Sequence, residues 1–490
     1  MKARLSKREL LILAAASCLS LAIYLLISAR TYRTGFPLDD AWIHQTYARN
    51  LASGLGWTFI PGEVSAGSTS PFWTVVLAAG FLLRLGPYIW AFLIGGVTLW
   101  GLAVLGEAFA RSWLGERKWI LPWAGLLICF EWHLVWAALS GMETLLFGLV
   151  ITLVLCAIAL NSTRWLWLGL AAGLAIWVRP DAVTLLGPIV FYALLRKDSW
   201  SGRLHHALLA LAGSMLGILP YLGFNRLLAG AWWPNTFYAK QAEYAILQET
   251  PWVARFLAEL SLPLIGVGIV LMPGVIWLFW KGVTGRQWGL LAGGIWWLGY
   301  LGLYAWRLPV TYQHGRYIMP AMAIFFLWGF VGIGQWLQAL PHNRWARRVG
   351  FAWRMTSGAL LLVFWGIVSS MYAKDVAIIE TEMVEPAQWV AQQTPPDSLV
   401  AAHDIGALGF FGQRRIIDLA GLISPEVIPL MRDEYRLREH LDQAGTRYLV
   451  LTFDWYVGLA ENKPVLYQSS GEFAPELGAE NTRIYLWKSP

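Results

Sequence analysis

The stretch Pro71-Phe72-Trp73-Thr74-Val75-Val76-Leu77-Ala78-Ala79-Gly80-Phe81-Leu82-Leu83 decides how the chain is threaded. It is apolar but only about 13 residues long, whereas a helix needs roughly 20 to cross a bilayer. If it crosses, every later segment changes side. If it lies in the interface or re-enters, the basic residues sort cleanly. Lys2, Arg4, Lys7, Arg8, Arg111, Arg117, Lys118, Arg164, Arg196, Lys197, Arg203, Lys281, Arg286, Arg344, Arg347, Arg348 and Arg354 then share one side. A crossing would move the Arg344–Arg354 cluster to the other, against the enrichment of Lys and Arg on the cytoplasmic side. The stretch therefore reads as an interfacial or re-entrant helix.

Working outward, apolar runs suited to spans lie at 10–28, 88–109, 119–138, 142–160, 165–178, 181–195, 207–228, 257–280, 286–305, 317–339 and 356–373. The chain thus reads as an all-α polytopic membrane protein of about eleven spans, with the short helix in its first outer loop. The first run follows four basic residues and has no A-x-A cleavage site after it, so it reads as an uncleaved helix with a cytoplasmic N-terminus. The runs 165–178 and 181–195 are short and meet at Arg179-Pro180-Asp181. Such a polar break suits a site reaching below the membrane surface.

Composition agrees. The 490 residues are 57% hydrophobic and 14% charged, against about one quarter charged in a soluble domain. The net charge of +7 conceals a split. Residues 1–373 carry 27 Lys and Arg against 13 Asp and Glu, while residues 374–490 carry 10 against 17. The excess is that of cytoplasmic loops and gives no reason to expect a nucleic-acid partner. Many of the 31 Trp sit at run ends, as in an interfacial belt among membrane lipids. Cys18, Cys129 and Cys156 fall inside apolar runs and form no disulfide or metal pattern.

This threading puts five polar segments on the outer face: 38–70, 140–144, 179–181, 233–240 and 311–316. In the first, Asp39 and Asp40 precede a helix to about Ser53, ended by Gly54. One reading is a helix cap. The other is a general base whose pKa is raised beside the apolar interface. Glu143 is either an early-turn acid favoured by the helix dipole or a site residue. Glu131 and His133, at membrane depth, read equally as a buried structural pair or as functional groups. Arg179, Arg226, Lys240, Arg307 and Arg316, with His314 nearby, are either snorkelling side chains or an anion site. The dense polar and aromatic settings of Lys240 (Trp233 to Lys240) and Arg316 (Tyr312 to Tyr317) favour a phosphate oxyanion.

In order along the chain stand Asp39-Asp40-Ala41-Trp42-Ile43, Tyr47-Ala48-Arg49-Asn50-Leu51, Gly67-Ser68-Thr69-Ser70-Pro71, Ser140-Gly141-Met142-Glu143-Thr144, Arg179-Pro180-Asp181, Pro234-Asn235-Thr236-Phe237-Tyr238-Ala239-Lys240, Gly315-Arg316-Tyr317, Asp404-Ile405-Gly406-Ala407-Leu408-Gly409 and Ile417-Asp418-Leu419-Ala420-Gly421-Leu422. This ordered set resembles the polyprenyl-phosphate-sugar-dependent glycosyltransferases of the GT-C superfamily, and within it the terminal arabinofuranosyltransferases of cell-envelope assembly. The resemblance implies a polyprenyl-phosphate sugar donor, a glycan, lipid or protein acceptor and inversion at the anomeric carbon. It implies Asp39 as general base with Asp40 in support, and Lys240, Arg316, Arg179 and His314 around the donor phosphate. Glu143, Tyr47, Arg49, Ser68, Thr69, Asn235 and Tyr238 are the substrate-binding candidates. No cofactor is certain from this pattern, and a divalent metal is possible. Some superfamily members use a divalent metal, but two adjacent acids lack a clear third ligand. Competing expectations are a transporter of lipid-linked sugar, which predicts inverted repeats, and a non-catalytic membrane scaffold.

After Tyr372 the character changes. Residues 374–490 read as a small extracytoplasmic α/β domain, following the transmembrane domain 1–373. Strands are expected at 399–403, 415–419, 448–452 and 483–487, and helices at 384–393 and about 425–441. His403 and Asp404 read either as a catalytic pair or as a turn residue and a helix cap, and the second reading is preferred. The resemblance suggests that this domain helps hold the acceptor.

Overall fold

The computed structural model describes residues 4–115, 121–341, 343–452 and 455–488. Lys2, Arg117, Lys118 and the start of the 119–138 run lie outside the described residues. Apolar runs become helices because a bilayer offers backbone N–H and C=O groups no other partners. Lys7–Thr31, Pro87–Leu114, Trp200–Ala229, Met319–Ala339 and the helix Arg344–Gln393 are each long and apolar enough to cross, five in all among the described residues. The chain is a multi-pass membrane protein.

The remaining expected spans are also helical but are shorter or broken. Thr144–Ala159, Trp165–Ala175 and Pro180–Leu194 are short apolar helices, and Trp288–Arg307 has 20 residues. Two straight spans are corrected. The 119–138 run divides into Trp123–Phe130 and Trp132–Ala138 at Glu131, whose backbone is extended and whose side chain accepts from Leu134 N–H to cap the second piece. The 257–280 run is a pair, Trp252–Leu264 and Gly268–Thr284, bent by 109°. Gly266 between them has φ +92, a left-handed conformation that suits glycine.

Small residues set a close helix contact. Gly169 and Gly173 on one helix face Gly213 and Gly217 on another. A Cβ at Gly169 would lie 1.8 Å from the Ala210 carbonyl oxygen, and one at Gly173 2.2 Å from that of Ser214. Both pairs have the four-residue spacing that lets membrane helices touch backbone to backbone.

The decisive stretch forms a 12-residue helix, Pro71–Leu82, capped by Ser70. Phe72 N–H donates to the Trp177 carbonyl (2.9 Å) and Trp73 Nε1 to that of Gly141 (3.0 Å). Phe72, Val75, Leu82 and Leu83 stay exposed, so the helix is pinned at its start and presents apolar side chains outward.

The helix from Arg344 to Gln393 has 50 residues, about 75 Å at roughly 1.5 Å per residue. It carries the chain from the basic Arg344–Arg354 end into the C-terminal domain, passing through a π-helical turn at Glu380–Val384. A boundary at 373/374 therefore falls inside one continuous helix.

The first loop holds a hairpin, β1 (Thr58–Ile60) and β2 (Glu63–Val64). The C-terminal domain has five strands: β3 (Leu399–Ala402), β4 (Arg415–Asp418), β5 (Tyr448–Leu451), β6 (Val465–Gln468) and β7 (Arg483–Leu486). The order is β4-β3-β5-β7-β6, with β3 parallel to β4 and β5, and β7 antiparallel to β5 and β6. β6 is an edge strand with mostly exposed side chains, so it lacks the alternation that marks a strand in sequence. The helix expected over 425–441 is corrected to Glu434–Ala444, because Asp433 caps a new start by accepting from Arg436 N–H.

Candidate active site

All five polar segments, 38–70, 140–144, 179–181, 233–240 and 311–316, contribute to a cavity of about 410 Å³, which residues 303–308 and Leu422 of the C-terminal domain also line. Asp40, Glu143, Arg179, Lys240 and Arg316 line it, together with Thr69, His44, Asp181, Tyr304 and Arg307. Trp233, Phe237, Leu303 and Leu308 supply an apolar wall.

Asp40 opens the helix Asp40–Ala52. Its carboxylate lies 2.8 Å from Arg316 Nη2 and 3.1 Å from Lys240 Nζ. Lys240 comes from the short helix Asn235–Glu243. It also donates to Tyr317 Oη at 3.0 Å, as does Arg316. Burial alone would raise the Asp40 pKa. The Arg316 and Lys240 charges outweigh it and hold the carboxyl below the usual range.

Arg316 owes its position to an unusual turn. Gln313, His314 and Gly315 have φ of +52, +59 and +68, three consecutive left-handed residues. Side chains seldom adopt this conformation, and local strain of this kind concentrates at functional sites. His314 Nε2 pairs with Asp375 Oδ2 at 2.8 Å, and Trp136 Nε1 donates to the same oxygen at 3.0 Å. His314 is thus turned away from the cavity and fastens the turn to the long helix.

A second network faces Asp40. Arg179 bridges Glu143 and Asp181, both at 3.2 Å. Asp181 Oδ2 accepts from Tyr300 Oη (2.5 Å) and Tyr304 Oη (2.7 Å). Glu143 lies 3.5 Å from His44 Nε2, and His44 Nδ1 is 3.0 Å from Ser68 Oγ. Burial pushes the His44 pKa down, which favours neutral imidazole.

Counting the ionisable lining, Arg179, Lys240, Arg307 and Arg316 stand against Asp40, Glu143 and Asp181. The surplus positive charge is Arg307. Among the described residues it pairs with no carboxylate; it donates to Gln241 Oε1 at 3.3 Å and lies 3.2 Å from the Phe237 ring centre. The site therefore has the charge to hold one further anion. No cluster of three or more metal-ligating side chains occurs among the described residues, and the Asp40 carboxylate is already engaged by two cations.

A model for a domain of unknown function, DUF8728, matches residues 374–486. No curated protein matches the chain in sequence. In structure, ArnT from Cupriavidus metallidurans bound to undecaprenyl phosphate aligns over 99% of both chains, with TM-score 0.59 and 15% identity. Its apo form aligns over 96% of this chain and 97% of its own, with TM-score 0.57 and 16% identity. The chain has the GT-C fold. The arabinofuranosyltransferase AftD from Mycobacteria aligns over all of this chain and 42% of its own, with TM-score 0.44 and 14% identity.

Within this GT-C fold, several sequence candidates fall outside the cavity lining. Asp39 occupies the N-cap position but makes no capping bond; its oxygens accept from Gly406 N–H and Ala407 N–H, both at 2.7 Å. Burial and then the Asp404 charge push its pKa up, while those two N–H groups pull it down by favouring the ionised form. Arg49 Nη1 donates to the Phe410 carbonyl at 2.6 Å. Tyr47 Oη accepts from Gly67 N–H (2.9 Å) and meets Ser65 Oγ (2.6 Å), holding the small-residue loop against its helix. Ser68 supports His44, and Asn235 N–H donates to the Ala66 carbonyl. Tyr238 is exposed beside the cavity.

His44, Tyr304 and Tyr317 were not singled out as candidates from sequence. His44 sits four residues after Asp40, on the same helix face, a spacing that marks it. The two tyrosines lie in aromatic-rich stretches, and nothing local sets them apart.

Proposed function

We propose that the protein is a GT-C glycosyltransferase that moves a sugar from a polyprenyl-phosphate donor to a hydroxyl of an envelope glycan, lipid or protein, with inversion, on the extracytoplasmic face. One observation carries this reading: a carboxylate, Asp40, held between Lys240 and Arg316 in a cavity with one apolar wall and a surplus positive charge. The likeness to ArnT, solved with undecaprenyl phosphate, supports a lipid phosphate as carrier.

Asp40, the carboxylate facing the cavity, takes the base role that the family resemblance assigned to Asp39. The donor's apolar tail lies along Trp233, Phe237, Leu303 and Leu308, and its phosphate is drawn to Lys240, Arg316 and Arg307. As the phosphate engages the two cations that hold Asp40, the carboxylate loses their stabilisation and becomes a stronger base. The acceptor oxygen forms a bond to the anomeric carbon, and its proton passes to Asp40. The bond from that carbon to the phosphate oxygen breaks, leaving its electron pair on the phosphate. The cations stabilise the growing negative charge. A phosphate leaves without protonation, so one carboxylate suffices where glycosidases use two.

The test is mass spectrometry of lipid copurifying with the protein, with a transfer assay on the lipid-linked sugar it identifies. A copurifying polyprenyl-phosphate sugar, turned over by the wild type and not by Asp40→Asn, is expected. Full turnover by Asp40→Asn overturns the assignment of the base.

A further inference from the structure

The C-terminal domain grips the candidate site from two directions through one loop. The loop, residues 403–412, leaves β3 and returns to β4. On one side its Gly406 and Ala407 N–H groups donate to the two carboxylate oxygens of Asp39. No side chain fits at Gly406, where a Cβ would stand 2.1 Å from the Asp39 carbonyl oxygen and 2.7 Å from its carboxylate. Arg49, on the helix that Asp40 begins, donates to the Phe410 carbonyl, and Trp42 on that helix packs on Phe410 and Phe411 with ring centres 4.8 and 4.6 Å apart. On the other side His403 lies 3.5 Å from Glu243 and 3.6 Å from Asp404, stacked 4.2 Å from the Trp455 ring. Glu243 ends the short helix that carries Lys240. One loop thus holds the residue before Asp40 and the helix of Lys240.

Asp39 is poorly placed to take a proton from substrate. Both oxygens are occupied by backbone N–H groups, it lies outside the cavity lining, and it is 8% exposed. Its geometry suits a tether. A carboxylate accepting two backbone N–H groups forms strong charge-assisted bonds, and a neighbouring residue in the helix start inherits their rigidity.

We propose that loop 403–412 of the C-terminal domain sets the separation of Asp40 and Lys240, gripping the first through Asp39 and the second through Glu243, with Asp39 as a positioning residue. This gives the domain of unknown function a task in the site. It rests on the reading of Asp40 and Lys240 as the working pair.

The test reads that separation without substrate. A water-soluble carbodiimide joins a carboxylate and an amine only when they touch, and Asp40 Oδ2 and Lys240 Nζ are 3.1 Å apart. In the wild-type protein in detergent, mass spectrometry is expected to find the Asp40–Lys240 amide cross-link. Asp39→Asn keeps the shape but turns an amide N–H toward one donor. Its cross-link yield is expected to fall by roughly tenfold, the equilibrium equivalent of one charge-assisted hydrogen bond, with faster amide exchange across 405–409. Glu243→Gln is expected to lower the yield less, and Gly406→Ala at least as much as Asp39→Asn. Unchanged yield in Asp39→Asn, with the variant folded by its melting curve, overturns the proposal. So does lost yield with unaltered exchange at 405–409, since the loop would then not be the intermediary. Should the wild type bind no polyprenyl phosphate, the functional reading fails, while the cross-link still decides whether the loop sets the geometry.

Discussion

The Asp40 carboxylate lies 2.8 Å from the Arg316 guanidinium, on a cavity whose opposite network is anchored by Arg179. The pair joins the first loop of the chain to a left-handed turn near its last membrane helices. It keeps the carboxylate ionised and the cation oriented before any ligand arrives.

Removing the charge of Asp40 separates chemistry from binding. Asp40→Asn is expected to lower turnover by about 10²–10⁴-fold, the usual share of a general base. Undecaprenyl phosphate binding is expected to hold or tighten, because Lys240 and Arg316 lose a competing carboxylate. Arg316→Ala is expected to weaken that binding by roughly tenfold or more, with little rescue by Lys, which lacks the planar fork. Binding by native mass spectrometry beside single-turnover rates checks both.

The turn before Arg316 provides a different test. Gly315→Ala is expected to cost about 1–2 kcal/mol for the left-handed backbone alone, and its Cβ would also stand 2.5 Å from Leu262 Cδ1. His314→Ala breaks the tie to Asp375 and is expected to weaken undecaprenyl phosphate binding through Arg316 without altering the pH profile of the bond-forming step. A direct His314–phosphate contact would instead make that binding pH-dependent in the wild type and pH-independent in the variant.

The contact between the C-terminal domain and the Lys240 helix carries a pH signature. Burial lowers the His403 pKa, but the Asp404 and Glu243 carboxylates outweigh it and raise it to about 10. Its folded pKa therefore exceeds the unfolded value near 6.5. The stability it contributes is full below about pH 6.5 and is lost as pH rises through about 10. Melting temperature is expected to fall across that window in the wild type, and this component of the fall to vanish in His403→Gln.

The glycine seam between Trp165–Ala175 and Trp200–Ala229 tolerates no growth. Gly173→Ala is expected to destabilise the protein by about 1–3 kcal/mol through overpacking, because the new Cβ meets the Ser214 backbone. At Gly223, where a Cβ would meet nothing within 4 Å, the same change is expected to be neutral or mildly stabilising. Thermal denaturation in one detergent compares the two.

The sequence by itself determined the membrane-protein class, most of the helical segments, the short helix at Pro71–Leu82 and the presence of a mixed α/β region toward the C-terminus. These follow from local physics: an apolar run in a bilayer must bond its own backbone, and its length sets whether it can cross. Sequence also named most of the cavity's charged residues, since Arg, Lys, Asp and Glu stand out against an apolar background. It put Asp39 ahead of Asp40 as the base only through the family resemblance, since adjacent acids carry the same local signal. Only the tertiary structure decided that Asp40 meets Lys240 and Arg316 while Asp39 meets Gly406 and Ala407, because each partner lies far away in the chain. His314 was likewise set apart from Arg316 by Asp375 on the long helix. The breaks at Glu131 and Gly266 escaped hydropathy, which averages over the one residue that turns the backbone. Pairing across a fold is a property of distance in space, and a chain read in order carries that distance only once it has folded.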